Sequence, residues 1–267
     1  MFRRRRESSM TLLELLMAMS VIVLIAGTLS GLAIGVQQGY DYAQQYGIAT
    51  QHGRVALERI TRTVSQAIAS EQFPGFLVLA ETQGQWRFPD TLVVWRPTGA
   101  AADPNRRPRF NELVIYCPDV QTPNRLLEIT APGDARVTPP ADDTASWKAE
   151  VAAIRNSPST QKVVLTDLLR TCTLPETSPP QVRGAVRFES RLRPSESEWG
   201  EYKAGTIEWK NLSWVQYIYG NRAGLRQAWM RMEMQIAVGR SSAGNLSGAG
   251  VVIPFFGSAA VYYQLWR

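Results

Sequence analysis

From Leu15 to Val36 the chain reads LLMAMSVIVLIAGTLSGLAIGV, a run without a single charged residue. As a helix this run is about 33 Å long, enough to cross a hydrocarbon core of roughly 30 Å. Within such a core a lone segment satisfies its own backbone amides only as a helix, so the run reads as one membrane-crossing helix. Its flanks set the orientation. Arg3, Arg4, Arg5 and Arg6 precede it, the next charge is Asp41, and little basic charge follows closely. That asymmetry predicts a cytoplasmic N-terminus and an exported remainder. Gly27, Gly31 and Gly35 recur at four-residue spacing, which puts them on one helical face where a second helix could approach; ordinary glycine content of a membrane helix reads the same way.

The formal charge of +6 would otherwise suggest nucleic acid or an anionic membrane as partner. Arg3 to Arg6, less Glu7, supply half of that charge within the first nine residues. The basic signal is therefore mainly a terminal device, and no nucleic-acid partner is expected. With 267 residues, 45% of them hydrophobic, the rest of the chain can build a sizeable core.

A secretory signal would have a shorter apolar region followed by a small-residue cleavage site. Here the run is longer, and Glu14 stands at its leading edge. An ionisable group beside a membrane helix is costly without a partner, so it asks for a functional explanation; hydration at the interface is the simpler one.

The string Ser9-Met10-Thr11-Leu12-Leu13-Glu14-Leu15-Leu16 resembles the processing site of type IV prepilins and of the pseudopilins of type II secretion. The pattern there is a small residue, a hydrophobic residue, Thr-Leu-x-Glu and a long apolar helix. The resemblance implies that a membrane prepilin peptidase cuts between Ser9 and Met10 and methylates the new amino group of Met10. It assigns Glu14 to assembly, where its carboxylate meets the amino terminus of a neighbouring subunit. Pairing the two ions relieves the desolvation cost of each. The family usually has Gly before the cut, and Ser9 stands in its place. The motif covers about the first tenth of the chain.

Beyond the span, residues 37–70 contain no proline and carry Leu57, Ile60, Val64, Ala67 and Ile68 at helical spacing. This predicts an amphipathic continuation ended by Pro74-Gly75, so that Met10 to Ser70 would make one rod of about 90 Å. His52, on this rod, has no catalytic partner in sequence and reads as structural. After Gly75 the pattern changes to short β-branched and aromatic runs. Strands are expected over 76–80, 91–96, 112–117, 125–130, 185–191, 213–219, 226–237 and 251–263. Gly220 to Gly224 reads as a hairpin turn between two of them. Short helices are expected around 145–154 and 166–171, and surface loops at 97–109, 131–143 and 173–183. Arg106, Arg107 and Arg109 read as solvated loop charge, and Asp142-Asp143 lacks the regularly spaced oxygen ligands of a calcium loop. Trp199, Trp209, Trp214, Tyr217, Tyr219 and Trp229 read as sheet core before they read as a ligand platform.

The expected fold class is α+β: a basic leader over 1–9, a transmembrane helix over 10–36, an amphipathic continuation over 37–73 and a β-rich head over 74–267. Cys117 and Cys172 lack CxxC spacing, so no metal site is expected from them. In an exported head they allow one disulfide, worth about 4 kcal/mol on the chain-entropy model, or remain two buried thiols. No GxSxG, P-loop, HExxH or GxGxxG occurs, so neither an enzyme nor a cofactor is expected.

Size and arrangement are most similar to the J-type minor pseudopilins of type II secretion, with W-type minor pilins of type IV pili second. The K-type tip subunit lacks the glutamate that stands here as Glu14. The resemblance implies a bacterial inner-membrane protein with a periplasmic head. Its partners would be the prepilin peptidase, other major and minor pseudopilins or pilins, and the I- and K-type minor pseudopilins of a tip complex. The competing reading is a periplasmic binding protein or enzyme held by an uncleaved signal anchor.

Overall fold

The computed structural model describes residues 11–174, 181–215, 222–239 and 250–265. It is an α+β protein in which a long N-terminal apolar helix precedes a domain of antiparallel sheets. Helix α1 runs unbroken over Leu12–Ser65. The chain divides into two compact units, one ending at Gly47 and the other covering Ile48 to the C-terminus. The last turns of α1 therefore belong to the same unit as the strands.

In the first unit, every residue of α1 from Leu12 to Gly47 except Ala18 is exposed. In the second, Ala49, Gly53, Ala56, Ile60, Thr63 and Val64 are buried. Their alternating three- and four-residue spacing keeps them on one face of the helix. Helix α1 ends at Ser65 rather than Ser70, before proline can act. The Ala67 amide bonds the Val64 carbonyl, and the Ile68 amide leaves the helix to bond the Trp95 carbonyl. Tertiary pairing stops the helix here.

Strands β1 (Phe76–Gln83), β2 (Trp86–Trp95), β3 (Leu113–Pro118), β4 (Leu126–Thr130) and β5 (Gln161–Thr166) form a five-stranded antiparallel meander in sequence order. The apolar second half of β2, residues 92–95, and the apolar run of β3 follow from burial of the sheet on both faces there. Leu92, Val94, Val114, Tyr116 and Leu126 enter one core with the buried stripe of α1. Val93, Trp95, Leu113, Ile115, Cys117, Leu127 and Ile129 enter a second.

The second core is closed by helix α2 (Thr144–Asn156), whose Trp147, Val151 and Ile154 are buried. Asp143 caps α2 by accepting the Ser146 amide at 3.1 Å, and the Trp147 indole donates to the Pro140 carbonyl at 2.9 Å. These contacts account for Asp143 as a helix cap.

The first core is completed by a three-stranded sheet ordered β10, β9, β8, where β8 is Val186–Arg193, β9 Leu225–Ala237 and β10 Val252–Gln264. Met230, Met232, Met234 and Ile236 alternate into that core from β9. A two-stranded ribbon, β6 (Thr171–Leu174) with β7 (Gln181–Gly184), occupies part of the expected loop over 173–183.

Two sequence expectations fail here. Residues 166–171 are not helical, because the Arg170 amide bonds the Gln235 carbonyl and the Ala237 amide bonds the Leu168 carbonyl. Ser213 to Val215 form a turn after a short 3-10 turn over Trp209–Asn211, not the start of a strand. Residues 216–221 of that expected strand and hairpin, including Tyr217, Tyr219, Gly220 and Asn221, lie outside the described residues.

A helix the sequence reading passed over, α3 (Glu196–Ala204), begins in a capping box in which Ser195 and Glu198 bond each other's backbone amides. It ends on Gly205 at φ 77°. Trp199 and Trp209 are buried beside Tyr202 and Trp214, with ring centroids 5.2 to 6.5 Å apart. That part of the expected tryptophan cluster is core.

Candidate functional site

The processing site expected at Ser9 and Met10 lies outside the described residues, as do Arg3 to Arg6. The first described residue, Thr11, is the N-cap of α1. Its backbone amide donates to Glu14 Oε2 at 2.9 Å and its hydroxyl donates to the same oxygen at 3.0 Å. The Glu14 amide points back at the Thr11 hydroxyl at 3.4 Å. This is a capping box, in which the carboxylate satisfies a backbone donor that the first helical turn would otherwise leave unpaired. Oε1 of Glu14 carries no bond to a described residue. Among the described residues the carboxylate is thus engaged through one oxygen, at the mouth of an apolar helix.

That helix is long and apolar enough to serve as a single-pass membrane anchor, and none of its apolar window is buried in the protein. Leu15, Leu16, Met17, Val21, Ile22, Val23, Leu24 and Ile25 are each at least half exposed. Exposure on this scale has no counterpart in a water-facing helix, whose apolar stripe is one-sided. A Cβ built on Gly27, Gly31, Gly35 or Gly39 would meet nothing within 4 Å, so the small-residue face is open along its length.

In the second unit the polar groups are mostly occupied by one another. Arg59 of α1 grips Glu128 of β4 at 2.6 and 2.7 Å, and the Tyr116 hydroxyl lies 2.8 Å from Thr63 Oγ1 and 3.1 Å from Glu128 Oε2. Burial would raise the Glu128 pKa, but the Arg59 guanidinium outweighs it and holds the carboxyl below its ordinary value. Burial pushes the Tyr116 phenol well upward.

A cleft of about 510 Å³ is lined by Glu81, Asp90, Arg155 and Arg183 among others. Arg183 pairs with Glu81 at 2.7 Å and with Asp90 at 3.3 Å, while Arg155 reaches Glu81 at 3.4 Å and the Pro118 carbonyl at 2.9 Å. Burial, with the neighbouring Glu81 charge, raises the Asp90 carboxyl. Each charge here has a partner, so the cleft reads as a tie between β1–β2, α2 and β7.

Cys117 and Cys172 are free thiols, and the bridge the sequence allows is absent. Cys117 is fully buried on β3 within the second core, whereas Cys172 is exposed on β6 of the separate ribbon. His52 sits 3.4 Å from Thr166 Oγ1 and 3.9 Å from Asp167 Oδ1, a local contact between α1 and the end of β5. Among the described residues no group of three or more His, Cys, Asp or Glu side chains is arranged to hold a metal ion.

The capping box and the tyrosines that follow the apolar run, Tyr40, Tyr42 and Tyr46, are features the sequence reading missed. The Thr-x-x-Glu spacing before an apolar run was the signal for the first. Comparison of the chain with protein-family models, with curated proteins and with solved structures gave no match.

Proposed function

We propose that the protein is a minor pilin-like subunit that enters a type II secretion pseudopilus, or the tip complex that initiates one, through its N-terminal helix. The observation that carries this reading is the state of Glu14: a carboxylate in the first turn of an exposed apolar helix, with one oxygen spent on its own cap and the other without a bond to any described residue. In this reading a prepilin peptidase removes 1–9 by cutting between Ser9 and Met10, and the new Met10 amine is methylated. The ammonium of a neighbouring Met10 then pairs with Glu14 Oε1 as the helices pack, and in low dielectric each ion offsets the other's desolvation. The open glycine face of the helix admits close helix neighbours. The β head faces the periplasm of a bacterial inner membrane and makes lateral contacts. A minor pilin of a type IV pilus differs only in the machine that receives the subunit.

The capping box itself supports a second reading, a binding protein or enzyme held by an uncleaved anchor, because it gives Glu14 a local role that needs no partner. Intact-mass and N-terminal analysis of the membrane-expressed chain, with and without prepilin peptidase, separates the two. The pilin reading expects a methylated chain starting at Met10 when the peptidase is present. A chain starting at Met1 in every case sinks it.

A further inference from the structure

The apolar run ends at Val36, and the helix continues through Gln37, Gln38, Gly39, Tyr40, Asp41 and Tyr42 to Tyr46 without a break. The three tyrosines are among the exposed large side chains, Tyr40 at 69%, Tyr42 at 50% and Tyr46 at 43%. Tyr42 and Tyr46, one turn apart, lie with ring centroids 6.3 Å apart. At about 100° per residue Tyr40 lies about 160° around the helix from Tyr42 and about 120° from Tyr46. Rings on both sides are not a one-sided seam for a single partner helix.

Their height is equally specific. At 1.5 Å per residue Tyr40 and Tyr42 stand about 6 and 9 Å beyond Val36, and Tyr46 about 15 Å beyond. The headgroup layer outside a hydrocarbon core is roughly 5–7.5 Å thick on each side, so Tyr40 falls within it, Tyr42 just at its outer edge and Tyr46 beyond it. Amphipathic rings favour that layer, where the ring meets acyl chains and the hydroxyl meets water and headgroups.

We infer that Tyr40 and Tyr42 form an aromatic collar that seats in the phospholipid headgroup layer and at its outer edge, and fixes the depth of α1. The inference rests on the membrane-anchor reading of the apolar run. Sliding the helix inward would carry Asp41 and the phenol hydroxyls into hydrocarbon. Sliding it outward would strip the rings of acyl contact and expose Val36 and Ile34 to water.

The test uses the full chain with Cys117→Ala and Cys172→Ser, reconstituted into phosphatidylethanolamine and phosphatidylglycerol vesicles. Nitroxide labels go singly at Ile25, Gln38 and Gln44, with depth read from relative accessibility to oxygen and to a water-soluble nickel complex. The expected profile has Ile25 deep, Gln38 near the hydrocarbon boundary and Gln44 on the aqueous side. Tyr40→Ala with Tyr42→Ala should move the Gln38 label by at least one helical residue, about 1.5 Å, and Tyr→Trp at both positions should restore the depth. An unchanged profile in the double alanine variant overturns the collar while leaving the anchor intact. Water-like accessibility at Ile25 overturns the anchor reading, and the collar with it.

Discussion

Arg59 on α1 and Glu128 on β4 meet at two points, Nε to Oε2 at 2.6 Å and Nη2 to Oε1 at 2.7 Å, across 69 residues of sequence. The Glu128 side chain is 10% exposed and Arg59 is 51% exposed, so the pair is anchored in the protein on the carboxylate side and hydrated on the other. Such a contact holds the end of the helix to the middle of the meander. Arg59→Ala leaves a nearly buried carboxylate with only the Tyr116 hydroxyl, and should destabilise the protein by about 2 kcal/mol, below the full cost of a deeply buried pair because Arg59 is half in water. Denaturant titration of the full chain in detergent checks it.

The same pair sets a pH dependence. The folded Glu128 pKa lies below its ordinary value of 4.5. Its contribution is therefore present above that value and lost as pH falls through the lower folded pKa. Wild type should lose more stability than Glu128→Gln between about pH 5 and pH 3. Parallel melting curves of the two proteins across this range would refute the assignment.

Gly53 and Phe255 form a second junction between α1 and the strands. A Cβ on Gly53 would overlap the Phe255 ring, and a Cβ on Gly257 would overlap Leu57. Helix and strand β10 thus exchange a small residue for a large one at two adjacent points. Gly53→Val should cost about 1–3 kcal/mol through overpacking. Adding Phe255→Leu should recover part of that loss, a non-additivity measured by a double-mutant cycle in denaturant.

Thiol chemistry distinguishes the two cysteines. Burial pushes Cys117 up to about 11, while Cys172 is exposed on the ribbon. A maleimide at pH 7.5 should therefore add once to the native protein, at Cys172, and twice after unfolding without reductant. A protein that takes up no label when unfolded without reductant would carry the bridge that is absent here.

Glu14 offers the sharpest separation of roles. Gln at the same position can keep the capping box but cannot pair with an ammonium, whereas Ala loses both. If charge pairing drives assembly, Glu14→Gln and Glu14→Ala should reduce incorporation beside other subunits alike. If the cap is the whole role, Glu14→Gln should behave as wild type, and Thr11→Val should reproduce Glu14→Ala. Crosslinking yield in the membrane reads the difference.

Much of this architecture is legible from residue order. The unbroken apolar run names the exposed part of α1, and the apolar alternation of β9 places Met230, Met232 and Met234 inward. What escaped depended on partners far along the chain. Residues 166–171 have a helical pattern locally, but their backbone pairs with β9. Likewise α1 ends at Ser65 because Trp95 takes the Ile68 amide, a competitor 27 residues away. By contrast, the two capping boxes, Thr11 with Glu14 and Ser195 with Glu198, were local signals within reach of sequence reading. The engagement of Glu14 Oε2 is the part of the candidate site that only the structure shows, because spacing states proximity and not which oxygen is spent.

The sequential order of β1 to β5 has a consequence for a chain delivered N-terminus first. Each strand pairs with the one made just before it, so the meander closes on sequence-local connections, the longest of them carrying α2 between β4 and β5. The expected order is that the meander and α2 shut the second core first, while the face bearing Leu92, Val94 and Tyr116 has only α1 against it until β8 to β10 arrive. Pulse-labelled hydrogen exchange reads that order through the amides of β3 and β9. While the chain folds, then, the vulnerable surface of this protein is the meander face that waits longest for its full cover, and a folding helper acting there would have only the interval before the last strands to do so.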